Sequence, residues 1–600
     1  MLSEFKLKLS NFKNAQTQAF TVFLMLGFLT LEENDIDTSF FLVYINPHTK
    51  SARNRGMWDM NKLVKTSVLL STAVILGSAV APLAANAATY KTINWQETSD
   101  LGTMDPSKVT ASVDFDALQA TGEGLYRYGQ DAKPELALAE SVQKSDDGLT
   151  YTFKLRPDLK WANGEPLTAQ DFVYGWQRTN DPKTASQYAY LFSGIKGADD
   201  IQSGKDKNLN DLGVKAVDDT TLEVTLDKPM PQLESILTMA PFYPQSQKFV
   251  EKVGSKYGTA SKYTLASGPY VQKGWTGSNN KYSLVKNTNY WDAKAVKTPK
   301  VSIQTIKDQN TGYNLYKAGK LDFTNLSPDQ VKASKKNKAY KVIPQATTFY
   351  LELNEKKVAA LKNVKIRQAL SYAIDRKTMS EKILTGTATP ATTLTPQNLA
   401  KDPNTGKDFA KSAAVKGAIS YDKAKAKKLF AEGLKEEGKK KLNLQVLTDD
   451  TDGAKRTAQF LQSQLQNLSG LKVSIKTVPF KQRLALSEDK NFDVVISAWG
   501  ADYAEPSTFL DLFTSESTFN NGSWANADYD NAVKAASTTD VTDENKRYDD
   551  YKTAEQTIEK DAGVVPLYYR SLATLSRPSV KKVVTNPVGA QYDWKWAYKK

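Results

Sequence analysis

Short stretches in which apolar and polar residues alternate recur along the chain. They predict half-buried β-strands, because successive side chains of a strand point to opposite faces of its sheet. Two other stretches repeat their apolar residues every three or four positions, as an amphipathic helix does. Since the two patterns alternate along the chain, the sequence predicts an α/β or mixed fold. The strand-like stretches are 90–95, 151–155, 221–226, 281–286 and 472–478, and the helical ones are 364–375 and 455–468.

Local signals mark where some of these elements begin. Thr168 to Asp171 has the form of a helix capping box, followed by the apolar residues 172–176. The acidic residues at 449–452 raise the question of calcium, but their spacing does not match an EF-hand, and we interpret them as a helix N-cap before Ala454. Residues 385–420 are rich in Thr, Pro, Ala, Asn and Gly, which predicts a long surface excursion.

One apolar strand pattern ends in an acid. Residues 493–499 are mostly apolar, and Gly500 and Ala501 precede the single carboxylate of Asp502. Two interpretations are open from these residues alone. Asp502 either caps the turn before Pro506, or it binds a cation that is not part of the chain.

Composition excludes several kinds of chemistry. The chain has 600 residues, which predicts about three or four domains. It has no cysteine and a single histidine, His48, which lies ahead of the predicted mature protein. Thiol nucleophiles, Ser-His-Asp triads and histidine-ligated zinc are therefore excluded, and we predict no cofactor and no bound metal.

The first part of the chain predicts export. A basic stretch at 60–65 precedes an apolar, small-residue stretch at 66–83, and Ala85-Asn86-Ala87 fits a cleavage site, so 57–87 is predicted to be a cleaved secretion signal. A transmembrane anchor is the alternative. The absence of cysteine excludes a lipid anchor at that boundary. Residues 1–56 are interpreted as a gene-start artefact, with translation starting at Met57 or Met60; an unusually long export extension is the alternative.

The chain is basic, with 80 Lys and Arg against 66 Asp and Glu and a net charge of +14. The lysines are interleaved with acids and form no dense block with aromatic residues, so we do not expect nucleic-acid binding. For an exported protein, such a charge suits solvated surface lysines, or contact with anionic cell-wall polymers or lipid headgroups.

Five segments together resemble one known family. They match, in order, the landmarks of the bacterial extracellular solute-binding proteins of family 5, and the fourth is typical of the oligopeptide-binding members. The resemblance covers nearly the whole chain from about residue 90. The segments are "YTFKLRPDLKWANGEPLTAQDFVYGWQR" (151–178), "SGPYVQKGW" with "KNTNYWD" (267–275 and 286–292), "YLELN" with "NVKIRQALSYAIDR" (350–354 and 363–376), "SAWGADYAEPSTFLDLF" (497–513) and "AGVVPLYYR" (562–570).

The resemblance implies an α/β, two-lobed fold of the large type II periplasmic binding proteins, with the ligand cleft between the lobes. It implies that the protein is not an enzyme and acts as a monomer, delivering an oligopeptide to the membrane permease and ATPase of an ABC importer, at the cell surface or in the periplasmic space. The implied domains are lobe I at 88–124, 252–345 and 562–600, an inserted domain at 125–251, and lobe II at 346–561.

The resemblance also implies site residues. Asp502 matches the family's anchor for the peptide α-amino group. Backbone groups at 498–500 and 110–112 are expected to pair with an extended ligand, and aromatic residues to form the cleft walls. The full candidate set is Asp502, Trp499, Gly500, Ala498, Thr110, Ala111, Ser112, Asn325, Tyr188, Tyr190, Phe349, Phe480, Tyr568 and Tyr569. No convincing cation matches the family's positions for the peptide carboxylate, and Lys455 lies near only one of them, so the length and side-chain preference of the peptide stay open.

Two other functions are considered. Ser283 and Lys286 satisfy the S-x-x-K pattern of penicillin-binding acyl-enzymes, but a strand would place them on opposite faces and no Lys-Thr-Gly partner is present. A surface adhesin that uses the basic surface is compatible with peptide binding. No phosphate-binding P-loop occurs, and Gly122-Glu-Gly124 is not followed by a dinucleotide-binding unit.

Overall fold

The computed structural model describes residues 90–600. The predicted secretion signal (57–87), the predicted extension (1–56) and His48 lie outside the described residues. No helix among residues 90–600 has the length and apolar character that a membrane span requires.

The described chain contains strands of 2 to 14 residues. Up to residue 325 they are β1 (Ile93–Glu97), β2 (Tyr126–Tyr128), β3 (Pro134–Leu136), β4 (Ala139–Lys144), β5 (Thr150–Leu155), β6 (Val214–Asp218), β7 (Thr221–Thr225), β8 (Tyr270–Lys273), β9 (Lys281–Lys286), β10 (Lys300–Thr305) and β11 (Phe323–Asn325). Beyond it they are β12 (Tyr340–Leu353), β13 (Ala388–Pro390), β14 (Leu442–Asp449), β15 (Leu471–Val478), β16 (Val494–Gly500), β17 (Val564–Ser576), β18 (Val580–Lys581), β19 (Val584–Thr585), β20 (Tyr592–Asp593) and β21 (Tyr598–Lys599).

Helices are interspersed with these strands. They are α1 (Ser112–Thr121), α2 (Ala169–Asn180), α3 (Ala198–Gln202), α4 (Leu233–Ile236), α5 (Gln247–Val253), α6 (Gln309–Lys317), α7 (Pro328–Ser334), α8 (Val364–Tyr372), α9 (Arg376–Thr378), α10 (Phe409–Ala413), α11 (Lys423–Glu436), α12 (Asp452–Leu465), α13 (Phe480–Glu488), α14 (Ser507–Leu510), α15 (Ala527–Ser537) and α16 (Glu544–Asp561).

The predicted periodic stretches all form the predicted type of element. The five alternating stretches correspond to β1, β5, β7, β9 and β15, and the two helical ones correspond to α8 and α12. Thr168 caps α2 in a complete capping box with Asp171. Thr451 caps α12 through its hydroxyl, which accepts the N–H of Ala454 at 3.3 Å. The cap predicted before Ala454 is therefore present, but Thr451 supplies it rather than an acidic residue.

Two four-stranded sheets belong to the first half of the chain. One has the order β1-β10-β9-β8, and the other, made within residues 139–225, has the order β4-β5-β7-β6. The end of the chain returns to the first of these sheets. The ring of Trp95 on β1 meets those of Tyr592 and Trp594 edge to face, with centroids 4.9 and 5.5 Å away.

The third large sheet has seven strands, in the order β11-β17-β12-β16-β14-β15, with β13 also paired to β17. The first half of β12 pairs only with β17, and its second half lies between β17 and β16. A register shift between Pro344 and Thr348 separates these two halves. The predicted start of lobe II at residue 346 falls at this irregularity, and the domain limits stay predictions.

Candidate functional site

A cavity of ≈ 330 Å³ lies between the segments predicted to form the two lobes. One wall comes from the end of β1, the start of α1 and β11. The facing wall comes from the ends of β14 and β16, from α13 and from the middle of β12 and β17. The cavity therefore lies where strands end and loops begin, as ligand sites in α/β proteins commonly do.

The floor of the cavity includes a strand edge that no described strand covers. β16 pairs with β12 along its whole length, from Val494 to Gly500. On its other side it pairs with β14 only at Val494 and Val495. Within the described part of the chain, the backbone of 496–500 therefore has one open edge, and such an edge is a template for an added strand.

The predicted backbone partners on the facing wall also line the cavity. Thr110, Ala111 and Ser112 lie at the start of α1, where Ala111 is extended and is the N-cap residue. Ser112 is exposed and Thr110 is half-buried. These residues stand across the cavity from 498–500, so both predicted backbone surfaces face the same space.

Asp502 lies just beyond the open edge and is 4% exposed. Its Oδ1 accepts a hydrogen bond from the Tyr188 hydroxyl at 3.2 Å, and its Oδ2 has no hydrogen-bond partner among the described residues. No ion pair of residues 90–600 includes this carboxylate, and it accepts no backbone N–H there. The turn is held instead by the Asp502 N–H, which donates to the Thr508 hydroxyl at 2.9 Å.

Burial dominates the electrostatics of Asp502. It raises the pKa of this carboxyl to about 8, while the Tyr188 hydrogen bond acts in the lowering direction. Ionising such a buried, half-satisfied carboxyl is costly unless a cation comes to it. Of the two interpretations left open by the sequence, the turn cap is contradicted by this geometry.

Aromatic rings surround the approach to Asp502. The rings of Tyr188 and Trp499 are stacked with centroids 6.0 Å apart, and Phe519 meets Trp499 edge to face at 4.7 Å. The indole Nε1 of Trp499 has no partner among the described residues. This arrangement offers apolar surface together with an unused hydrogen-bond donor.

Other unpaired polar atoms face the same space. Asn325 Oδ1, Gln345 Oε1 and the Tyr592 hydroxyl are buried without a partner in the described chain, and all three residues line the cavity. Buried polar groups are nearly always hydrogen-bonded in folded proteins. Such atoms gathered at one cavity indicate that a polar ligand supplies the missing partners.

The lining of the cavity also includes two arginines that sequence reasoning did not select. Arg483 on α13 and Arg570 on β17 both line it, and the Nε atom of each is buried without a hydrogen-bond partner among residues 90–600. Lys307 also lines the cavity, but its ammonium already pairs with Asp100 at 2.8 Å and Asp450 at 3.1 Å. Arg570 directly follows the predicted wall residues on β17, which was the available signal.

Most of the remaining candidates line the cavity, and two do not. Phe349 and Tyr568 stack at 4.6 Å in its wall, and Phe480 lines it from the start of α13. Tyr190 lies outside the lining and packs edge to face on Phe519 at 5.8 Å. Tyr569 points to the opposite face of the sheet from Tyr568.

The prediction of Tyr190 and Tyr569 as walls is therefore corrected. The hydroxyl of Tyr569 accepts the N–H of Thr393 at 3.0 Å and donates to the Thr393 carbonyl at 3.1 Å, which fixes the ring inside the protein. Tyr568 and Tyr569 are adjacent on β17 and face opposite ways, whereas Tyr188 and Tyr190 lie two positions apart in one tight helical turn, so only one of each tyrosine pair lines the cavity. Lys455, considered for the peptide carboxylate, is also absent from the lining.

Contacts across the cavity hold its two walls together. The Lys307–Asp450 pair joins them, the N–H of Gln309 donates to Asp452 at 3.3 Å, and Arg456 pairs with Asp329 at 3.0 Å. Three of these residues come from predicted lobe I and three from predicted lobe II. The acidic residues 450 and 452 thus serve to connect the walls.

The described residues give little support to the alternative chemistries. They include no group of three or more His, Cys, Asp or Glu side chains placed to hold a metal ion. Ser283 and Lys286 both lie on β9, a strand paired on both sides. Three positions apart on a strand, their side chains point to opposite faces, so they lack the helix-start geometry of the S-x-x-K acyl-enzymes.

Comparison with known proteins agrees with this architecture. A sequence model for bacterial extracellular solute-binding proteins, family 5 Middle, matches residues 133–521. The chain is 43% identical to the dipeptide-binding protein of Lactococcus lactis subsp. cremoris (strain MG1363), over 88% of this chain and 98% of that protein. The structure of Listeria monocytogenes OppA bound to peptide matches with a TM-score of 0.82 and 38% identity, over 86% of this chain and 100% of that one.

Two structures of one further protein match this chain to different degrees. A structure of the murein tripeptide-binding protein MppA of Escherichia coli matches with a TM-score of 0.77, and its unliganded open form matches with 0.58. Both have 29% identity and cover 86% of this chain, with 99% and 98% of MppA covered. The predicted two-lobed fold is confirmed, and this chain is less similar to the open form of MppA than to the other MppA structure.

Proposed function

Because the chain belongs to the bacterial extracellular solute-binding proteins of family 5, we propose that it is the extracytoplasmic peptide-binding component of an ABC importer. It captures an extended peptide between its two lobes and binds the α-amino group on Asp502. It performs no chemistry on the peptide. The permease and the ATPase are separate polypeptides that receive the closed, loaded form.

The observation that carries this proposal is the half-satisfied carboxylate of Asp502 beside an open strand edge. An ammonium group removed from water needs a paired, hydrogen-bonded anion. Asp502 Oδ2 is buried, unpaired within the described chain and next to the cavity. A peptide that places its amine there can continue along 496–500 as an added strand.

Strand addition explains how one site accepts many sequences. Every peptide has the same backbone amides, and hydrogen bonds to them do not depend on the side chains. The carboxylate then sets the register, because the charged N-terminus is the one feature at a fixed position in every peptide. The aromatic rings of Tyr188, Trp499 and Phe519 supply apolar contact for the first side chains.

Ligand binding favours the closed arrangement because the ligand contacts both walls only when they are close together. The wall-to-wall contacts of Lys307, Gln309 and Arg456 add to this preference. The protein acts as a monomer in this scheme. Its positive charge suits retention on anionic cell-wall polymers outside the membrane.

The test is calorimetric titration of the ligand-free protein with a tripeptide and with its N-acetylated form. A charge-assisted hydrogen bond contributes about 1.5–3 kcal/mol, so acetylation is expected to weaken binding by tenfold or more. Asp502→Asn is expected to lower the affinity for the free-amine peptide to that for the acetylated one. The same variant should leave the affinity for the acetylated peptide nearly unchanged.

Lys472→Gln is a suitable control, because Lys472 is exposed on β15 and does not line the cavity. Equal affinity of the wild-type protein for both peptide forms contradicts the role of Asp502. Failure to bind any peptide from two to ten residues contradicts the proposed function itself.

A further inference from the structure

Two segments of the chain are rich in lysine and poor in acids. Residues 331–345 contain lysines at 332, 335, 336, 338 and 341 and no acid. Residues 571–600 contain Lys or Arg at 577, 581, 582, 595, 599 and 600, and their only acid, Asp593, is enclosed with Arg127. Positive charge in these two segments is therefore not balanced by neighbours in sequence.

The ring of Tyr598 on β21 marks the place where several of these lysines meet. Lys581 lies directly opposite Tyr598 in the β18–β21 pair, and such cross-strand partners point to the same face. The ammonium of Lys297 lies 5.5 Å from the centre of the Tyr598 ring. The backbone N–H of Lys91 donates to the carbonyl of Lys599 at 2.7 Å. The fold thus brings lysines from three remote parts of the chain to one place.

Backbone hydrogen bonds connect this place to the second lysine-rich segment. The N–H of Arg577 donates to the carbonyl of Asp322 at 2.8 Å, and the N–H of Ser576 donates to the carbonyl of Ala339 at 3.0 Å. The carboxylate of Asp322 also pairs with Lys599 at 2.8 Å. We call the connected surface the terminal basic face. Its exposed lysines are Lys91, Lys297, Lys320, Lys338, Lys581, Lys582 and Lys600.

These exposed lysines have no acidic partners. Within residues 90–600, none of their ammonium groups forms an ion pair, because the acids nearby are already engaged. Asp322 is 1% exposed and pairs with Lys599, and Asp292 pairs with Lys595 at 3.0 Å. Like charges gathered without counter-ions repel one another, so an anion that binds across several of them relieves this repulsion.

The side chains of the face favour a polymer in water over a membrane surface. Tyr90 and Tyr598 are half-buried and pack edge to face, with ring centroids 5.6 Å apart. Segments that enter a membrane surface expose Trp, Phe or Leu for insertion, and these packed rings are not free to do so. A lysine ammonium is a compact point charge that binds phosphate without a fixed geometry. A row of such charges suits a flexible chain of phosphate groups.

We propose that the terminal basic face binds a linear polymer of phosphodiester groups, of the kind that an exported protein meets as an anionic polymer of the cell wall. This contact holds the protein at the envelope and leaves the cavity free, because none of the face's lysines lines the cavity. The proposal goes beyond the proposed function, since it does not depend on peptide binding.

The test uses long-chain inorganic polyphosphate as the probe and measures its binding to wild type and to a quadruple variant. Wild type is expected to bind at low salt, with an affinity that falls steeply as the salt concentration rises, because binding releases counter-ions. The variant should lose tenfold or more in affinity and depend less steeply on salt. Its substitutions are Lys91→Gln, Lys338→Gln, Lys581→Gln and Lys582→Gln.

A second quadruple variant on α11 provides the matched control. It removes the same charge from exposed lysines that form no ion pair within residues 90–600 but have Asp422, Glu432 and Glu436 close in sequence. It should bind polyphosphate nearly as wild type does. Equal losses in the two variants, or no binding by wild type at low salt, overturn the proposal. The control substitutions are Lys423→Gln, Lys427→Gln, Lys428→Gln and Lys435→Gln.

Two further measurements separate this proposal from its neighbours. Tighter binding of wild type to phosphatidylglycerol vesicles than to polyphosphate, compared per phosphate, overturns the choice of a polymer. Both quadruple variants should keep the wild-type unfolding midpoint and the wild-type affinity for a tripeptide. Polyphosphate binding by a protein that binds no peptide refutes the proposed function alone, and peptide binding without polyphosphate binding refutes this inference alone.

Discussion

Two groups of buried charges in this protein differ in how they are satisfied. Arg127, in the first half of the chain, is enclosed with Glu123 and Asp593, at 3.2 and 2.7 Å, and all three side chains are at most 4% exposed. In the cavity, Asp502 and Arg483 are almost as deeply buried, yet no counter-ion within 90–600 pairs with them. Burial is common to both groups, so the missing partner is what distinguishes a site.

The difference has a physical meaning. The Arg127 group joins residues far apart in sequence, because Asp593 is near the end of the chain while Glu123 follows α1. Its charges compensate one another within the fold. Asp502 and Arg483 have no counter-ion within residues 90–600 of the ligand-free protein, so a ligand that supplies one gains the free energy of pairing.

The largest expected effect is on the satisfied group. Arg127→Met leaves Glu123 and Asp593 buried without their cation, and loss of one partner of such a pair costs about 3–5 kcal/mol. The free energy of unfolding, measured by urea denaturation, should fall by that amount. An unchanged unfolding midpoint contradicts the comparison, and Lys472→Gln again provides the exposed control.

The next effect concerns binding and pH. The ligand-free carboxyl of Asp502 has a pKa of about 8 and must lose its proton to pair with an ammonium. Below that value, peptide affinity should fall by up to tenfold per pH unit as the pH decreases, equivalent to about 1.4 kcal/mol per unit. Calorimetry at pH 6 and pH 7 measures the slope.

Other acids of the cavity also titrate in this range. The informative quantity is therefore the difference between wild type and a variant in the slope of peptide affinity against pH. Asp502→Asn should remove about one proton from the number released per peptide bound. A slope that is identical in wild type and in this variant contradicts the assignment of the proton to Asp502.

The last effect concerns the stability of the ligand-free protein and depends on the unpaired carboxyl of Asp502. Between its ordinary pKa of 3.8 and its folded value of about 8, Asp502 keeps a proton in the folded state that it loses in the unfolded state. This carboxyl therefore makes the folded protein progressively less stable as pH rises through that window. At pH 8 the ligand-free Asp502→Asn variant should be more stable than wild type, because an amide carries no charge that burial would penalise.

Thermal unfolding of both proteins at pH 5 and pH 8 tests this sign. The advantage of the variant should grow from pH 5 to pH 8. A variant that is less stable than wild type at pH 8 places Asp502 with the structural charges and removes the contrast with Arg127.

Local sequence patterns predicted the secondary structure well because they reflect interactions between residues close together in the chain. The alternating residues of β9 and the capping box of Thr168 act within a few positions of the chain, so a sequence shows them directly. The resemblance led to Asp502, Trp499 and Asn325, which line the cavity, although their contact with a ligand stays a prediction. Tyr190 and Tyr569 were candidates alongside Tyr188 and Tyr568, and the sequence could not choose within each pair, because the direction of a side chain in a tight turn or on a strand relative to a cavity depends on the tertiary structure.

The sequence by itself determined the alternation of strands and helices, the absence of cysteine chemistry and the acid at the end of the β16 pattern. Only the tertiary structure decided that Asp502 lacks a cation within the described chain and that Arg483 and Arg570 gather near Asp449. The reason is that pairing of charges depends on distances between residues remote in the chain. Periodicity and capping depend on residues within one or two turns of each other, whereas the pairing of a buried charge with a counter-ion depends on the whole fold.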